Sequence, residues 1–294
     1  MEMAKNKKMA WHPALSQEEI EFTSPDVMAK LLGTIDPAGY PHVTLIACNK
    51  AVDQETIKWG QFSVGTSKKN VLRDPRQGVF YMTSKSPYRF LQAKMDFDRI
   101  STDGADAMDF NQASLFRYNT YVRIYKVYFN TVKAVSGIRD LSMGGIVKGM
   151  LSAPIAAGGV NTKSAESRMP AFGTRLFNGP INPKFACYFD PSDGYPIIVP
   201  CFQARAFGGN AIVFPLSQFR TDLESLKEGD KIAFYAMTQD LRSLLVKGTF
   251  SGFKKVRGIT TGRASIDIIY NSMPPAPGQV YPVLETRPKV EQFA

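Results

Sequence analysis

The stretch IDPAGYPHVTLIAC, Ile35 to Cys48, returns in the second half of the chain as FDPSDGYPIIVPCF, Phe189 to Phe202. Gly39-Tyr40-Pro41 falls on Gly194-Tyr195-Pro196 at an offset of 155 residues. Outward from it, three more segments repeat in the same order. Leu72-Arg73-Asp74-Pro75 falls on Leu226-Lys227-Glu228-Gly229 at 154, and Phe80-Tyr81 on Phe234-Tyr235 at 154. Leu91 to Phe97 (LQAKMDF) falls on Leu244 to Phe250 (LLVKGTF) at 153. Each match is short, but four in one order at nearly one spacing mark a duplicated unit of about 150 residues.

Each copy reads as a β-unit. In the Asp-Pro stretch, Pro pre-sets φ and Gly supplies the positive φ that a tight turn needs. The residues that follow (HVTLIAC; IIVPCF) are apolar and β-branched, as strands require. IKWGQFSVG, GVFYMT and LQAKMDF continue the strands of copy one, with AIVFPLS, KIAFYAMT and LLVKGTFSGF as counterparts. The longest strand pattern is Thr120 to Val135, matched to RASIDIIYNSM at an offset of 141, which implies a 12-residue insertion within Asp98 to Tyr118. Ser16 with Glu19 forms a capping box, and Ser24-Pro25 reads as a helix start before DVMAKLL. Short helices are expected at Ser67 to Asp74 and Thr221 to Glu228, stopped by Pro75 and Gly229. The expected class is mainly β with short helices, each copy a small closed or split barrel. The organisation expected is a first copy over 1–135, a Gly/Ala/Ser-rich connector over 136–180 (linker, helix or lid) and a second copy over 181–294.

Composition narrows the classes of function. The 294 residues are 44% hydrophobic and 21% charged, and no apolar run approaches the length of a membrane span. The basic N-terminus is followed by no apolar signal core, so a cytoplasmic protein is expected, with no membrane partner. Cys48, Cys187 and Cys201 have neither metal-ligand spacing nor an even count, and read as buried thiols. The net charge of +10 points to an anionic ligand, but the cations are dispersed, so nucleic acid is not expected. His12 and His42 have no clustered Cys, Asp or Glu beside them, so no metal site is expected. Asp96 and Asp98 would share a strand face, and Trp59 reads as core.

The chemistry concentrates in FSVGTSKKN, Phe62 to Asn70. A strand ends at Gly65, and hydroxyls, cations and an amide follow where a helix begins. Helix N-terminal amides, hydroxyl donors and ammonium groups together suit a phosphate. A capped helix with a solvated lysine pair is the alternative reading. In copy two, Arg220, Thr221, Asp222 and Leu223 stand where copy one has Thr66, Ser67, Lys68 and Lys69. One phosphate site per chain is therefore expected.

On these residues the chain resembles the pyridoxamine 5′-phosphate oxidase-like FMN-binding split barrels. FSVGTSKK is similar to the family's strand-turn segment ending in Gly-Ser-Arg-Lys, whose basic pair holds the FMN phosphate. The resemblance implies two tandem split β-barrels forming a pseudo-dimer, with phosphate held by Lys68 and Lys69 and Ser63 and Ser67 near the flavin. Thr66 and Asn70 belong to the same candidate cradle. Lys50 matches the basic end of the family's Arg-x-x-x-x-Lys strand, though the Arg is absent. Gln92 matches the Gln of its Arg-Gln-Val strand and would reach the flavin ring. The family's C-terminal Arg-x-His ending has no counterpart, so pyridoxamine phosphate is not the expected substrate. What the resemblance implies is an FMN-dependent oxidoreductase acting with a small-molecule substrate or redox partner, with a homodimer left open. A non-catalytic flavin carrier or sensor is the alternative, and deazaflavin F420 or haem are the alternative cofactors. No catalytic residue is assigned.

Overall fold

A computed structural model describes residues 9–61, 65–113, 117, 123–157, 167–217, 219–273 and 278–283. Copy one runs through α1 (Gln17–Thr23), β1 (Met28–Ile35), β2 (Pro41–Leu45), β3 (Asn49–Ala51), β4 (Thr56–Gly60) and α2 (Thr66–Arg73). It continues with β5 (Arg76–Thr83), β6 (Arg89–Ser101), α3 (Gly104–Gln112), β7 (Val127–Val135) and β8 (Arg139–Asp140). α4 (Met143–Ala157) and α5 (Ala171–Asn178) lead into copy two: β9 (Lys184–Phe189), β10 (Pro196–Pro200), β11 (Arg205–Phe207), β12 (Ala211–Pro215) and α6 (Arg220–Leu223). β13 (Lys231–Met237), β14 (Ser243–Val256), β15 (Ile259–Ser265), β16 (Ile268–Asn271) and β17 (Gly278–Tyr281) complete it.

The repeat is visible in the strand order. The first sheet runs β2-β1-β5-β6-β7-β4-β3 and the second β10-β9-β13-β14-β15-β12-β11. Adding eight to every strand number of the first gives the second. All pairings are antiparallel, and in each copy one long strand, β6 or β14, spans both halves of the split barrel. Gly39 and Gly194 hold φ of +78° and +75° in the two equivalent turns, as the repeated Gly requires. The likeness extends upstream of the strands. Lys30 donates to the Thr23 and Asn49 carbonyls, and Lys184 to those of Phe177 and Gly179. Each copy thus uses a buried lysine at the start of its first strand to hold a carbonyl at the end of the preceding helix, and Lys30 also ties in the start of β3 through Asn49.

Four local expectations are corrected. DVMAKLL forms no helix: Ser24 ends α1, and Met28–Ile35 is a strand paired on both edges, with β2 and β5. Its nearly continuous burial explains the run of apolar residues. The strand expected over Thr120 to Val135 is described as β7, Val127–Val135, and its counterpart by pairing is β15 rather than Arg263 to Met273: Phe97 pairs with Asn130 and Phe250 with Ala264, an offset of 134. The insertion is correspondingly longer, with residues 102–126 joining β6 to β7 where Arg257 and Gly258 join β14 to β15. α6 is a four-residue turn, shorter than Thr221 to Glu228. β6 carries a register shift at Phe97/Arg99, so Asp96 turns to the Tyr195 hydroxyl of copy two while Asp98 pairs with exposed Arg99.

The two barrels pack through a pseudo-two-fold seam. Phe80 on β5 meets Phe185 at 5.3 Å, and the Tyr235 hydroxyl on β13 lies beside the Leu45 backbone. Both rings therefore face the opposite copy, which equates Phe80 with Tyr235 rather than Phe234; a slip of one residue would turn the strand inside out. One hydrophobic core spans the seam, joining Leu31, Val43 and Phe80 to Phe185, Ile198 and Phe234. A second fills copy one around fully buried Trp59, which stacks on Tyr128 at 3.9 Å and donates to Gln77. Ion pairs cross the seam reciprocally. Lys247 reaches Asp36 at 2.6 Å, and its equivalent Lys94 reaches Asp190 at 2.5 Å and Asp193 at 2.7 Å. Gly78 is required here, because a Cβ on it would stand 2.0 Å from the Pro196 carbonyl oxygen.

Candidate functional site

α2 begins where β4 leaves the barrel. Its N-cap is Gly65, whose backbone is extended and which offers no side chain to cap the helix, and the first turn carries no acidic residue. Amides that most helices satisfy with a Ser, Thr or Asp side chain are left to other acceptors. Lys68 curls back over this end: its Nζ lies 3.8 Å from where a Gly65 Cβ would stand. Burial pushes the Lys68 ammonium down to about 8. Lys69, on the next position, is exposed.

The hydroxyls behind the lysines are tied into a network that includes copy two. Ser67 Oγ is 2.9 Å from Thr44 Oγ1 on β2, and Thr66 Oγ1 is 2.9 Å from the Tyr270 hydroxyl on β16. Asn70 donates to Thr34 Oγ1, which donates to the His42 carbonyl. The His42 ring meets Tyr270 edge-on at 4.9 Å. Burial, followed by the neighbouring Lys247 charge, holds His42 well below the usual histidine range, so the ring is neutral near pH 7. Buried His42 Nδ1 and Asn70 Oδ1 lack a hydrogen-bond partner among the described residues. Such atoms are costly unless an acceptor or donor from outside the chain meets them.

The structure therefore brings together five expected residues, Thr66, Ser67, Lys68, Lys69 and Asn70, on one helix at the seam. Ser63 lies outside the described residues. Lys50 sits on β3 and pairs with Asp109 of α3 at 2.5 Å. Burial raises the Asp109 carboxyl, but hydrogen bonds from Lys50 and Lys58 outweigh it and hold the group below the usual range. Gln92 is buried in the seam, its Oε1 accepting from the Ile198 amide at 3.1 Å while its Nε2 has no partner among the described residues. Thr44, Thr34 and Tyr270 were not expected. Tyr270 stands 204 residues from Thr66, and no local pattern signals a contact across two copies.

The equivalent end of copy two is built differently. Phe219 caps α6 in a left-handed conformation, and Asp222 occupies the first turn. Asp222 is buried and pairs with Arg139 at 3.1 Å. A carboxylate in that turn repels an anion, so only copy one offers a cationic helix end. Among the described residues no group of three or more His, Cys, Asp or Glu is placed to hold a metal, and no helix is long and apolar enough to cross a membrane. All three cysteines are free and buried.

No protein-family model matches the sequence, and no curated protein matches it. Solved structures similar to it include an FMN-binding protein from Syntrophomonas wolfei, 10% identical, covering 40% of this chain and 80% of that one with a TM-score of 0.33. Another is a FAD-binding protein from Mesorhizobium loti, 14% identical, covering 46% of this chain and all of that one with a TM-score of 0.32. A third is an F420 reductase, 17% identical, covering 42% and 98% with a TM-score of 0.32. By its own strand order, the chain is a tandem pair of split β-barrels.

Proposed function

We propose that the chain binds one flavin nucleotide, with the phosphate at the N-terminus of α2 and the ring system directed along the seam. The observation that carries this reading is the pairing of an uncapped helix end with two lysines and two hydroxyls in copy one, against a buried Asp222 at the same place in copy two. Helix dipole, amides and ammonium groups act in one direction on an anion. Tyr270 and Thr66 fix the two copies relative to each other beside that anion. Gln92, with its unmatched buried amide nitrogen, is the residue proposed to donate to the ring. The names of the similar structures are in keeping with a flavin-type group, and FMN is the proposed member.

A bound flavin supplies electron or hydride transfer, leaving the protein to bind, orient and exclude water. The residues here fit that division. Lys68 and Lys69 hold the phosphate, and Thr66 and Ser67 position it. The proposed activity is a flavin-dependent oxidoreductase taking a small-molecule substrate or redox partner in the cytoplasm.

The test is FMN titration, followed by flavin absorbance, of the native chain and of a Lys68→Glu, Lys69→Glu double variant. Acidic residues near a helix N-terminus favour the helix, so the variant keeps its fold. Affinity should fall about tenfold or more. A native protein that takes up no FMN, or a variant with unchanged affinity, refutes the assignment.

A further inference from the structure

The seam contains a second feature, unconnected with the phosphate-binding helix. A cavity of about 670 Å³ opens between the β5–β6 hairpin of copy one and the β13–β14 hairpin of copy two. None of the cradle residues lines it. Its walls are contributed in equivalent pairs: Val27 with Ile181, Ala29 with Pro183, and Ala47 with Phe202. The cavity therefore straddles the pseudo-two-fold axis. The connector breaks this symmetry, because α4 covers one side with Ile146, Val147 and Met150.

We propose that this cavity is a binding site for an uncharged, apolar small molecule such as an acyl chain or an aromatic hydrocarbon skeleton. Three observations support it. The volume is that of a small-molecule site at a domain boundary. The interior is chiefly Met, Leu, Ile, Phe, Pro and Ala with half-buried Thr83 and Tyr88 beside them, while Asp26, Ser84 and Gln239 are exposed polar groups among the lining residues. An apolar space of this kind gives water too few partners to be held in order. Finally, large apolar side chains remain open to solvent among the lining residues: Val27 and Ile181 are each 72% exposed, Leu241 59% and Val147 51%. A cluster of this kind on a soluble surface marks a place where apolar matter is received. Among the described residues of the lining only Asp26 is charged, so an anionic ligand is disfavoured.

The geometry also supplies the means of closing the site. Ala47 occupies the place that Phe202 takes in copy two, so the fold already accommodates a phenyl ring at the equivalent position. Ala47→Phe should fill the space. Val147→Asp places a carboxylate at a half-exposed position on the roof and leaves the packing of both barrels unchanged.

The experiment is titration of the full chain with the neutral fluorophore N-phenyl-1-naphthylamine, in the presence and absence of saturating FMN. Saturable binding of one probe per chain is expected, weakened about tenfold or more by Ala47→Phe and by Val147→Asp, with FMN without effect. Should Ala47→Phe fail to fold by circular dichroism, Val147→Asp alone decides. Non-saturable binding, or affinity untouched by the variants that fold, overturns the proposal. Displacement of the probe by FMN also overturns it, since cavity and flavin site would then be one.

Discussion

Replacing Lys247 by Met tests whether the seam holds the two copies as one folding unit. Lys247 and Asp36 come from different copies, lie 2.6 Å apart, and their side chains are 5% and 7% exposed. Removing the ammonium leaves the carboxylate buried without its cation, a change that costs about 3–5 kcal/mol where a buried pair is broken from one side. The lower end applies here, because Asp36 Oδ1 still accepts from the Ala38 and Tyr40 amides and only Oδ2 loses its partner. Urea unfolding gives the loss from the midpoint and slope. The double variant Lys247→Met, Asp36→Asn should recover part of it, since a neutral amide retains the turn without a buried charge. Lys94→Met should cost a similar amount, about 3–5 kcal/mol, because Asp190, 13% exposed, is left beside Asp193 with no cation between the two carboxylates. A Lys247→Met loss under about 1 kcal/mol would refute the argument, as would a double variant as unstable as the sum of its parts.

Further outcomes follow from the same structure. Gly78→Ala drives a methyl group into the Pro196 carbonyl and should lower stability by about 1–3 kcal/mol or more, read as a fall in Tm. Tyr270→Phe removes the hydroxyl bonded to Thr66 and should weaken FMN binding while changing stability by only about 0.5–1.5 kcal/mol. Because Lys68 is held at about 8, FMN affinity should decline as pH rises past that value and the ammonium is lost; a flat profile between pH 7 and 9 counts against Lys68 as the phosphate ligand. Folding stability should behave in the opposite sense over the same window. Burial lowers Lys30 and Lys184 from 10.5 to about 8, so the unfolded chain binds more protons above pH 8 and stability climbs. The Cys48 and Cys201 thiols, raised from 9.0 to about 12 by burial, oppose this once unfolded thiols ionise, and the climb should level off above pH 9. Urea midpoints at pH 7.5, 8.5 and 9.5 distinguish the two regimes.

The duplication was legible because turn chemistry is local. Gly39 and Gly194 are needed for the same positive φ, and their neighbours repeat with them. The capping box of Ser16 and Glu19 was legible for the same reason, since both partners lie within one turn. DVMAKLL misled because Pro25 after Ser24 satisfies the rules of a helix start, whereas tertiary pairing on both edges imposes a strand. At the site, α2 and its cationic first turn followed from a short run of residues. Lys50 did not join it, because the inserted α3 supplies Asp109, a partner that no strand pattern reveals. Tyr270 and the apolar cavity arise only when one copy is laid on the other, which is information carried by packing rather than by spacing.

The reciprocal seam has a genetic consequence. In a dimer of identical chains, every substitution appears twice, once on each side of the axis, so a change that improves one side must be tolerated by the other. Here the two halves are encoded separately. Ala47 can stay small while Phe202 is large, and Asp222 can occupy one helix start while Lys68 occupies the other. The fused chain keeps the packing of a symmetric pair, yet each half is free to specialise alone.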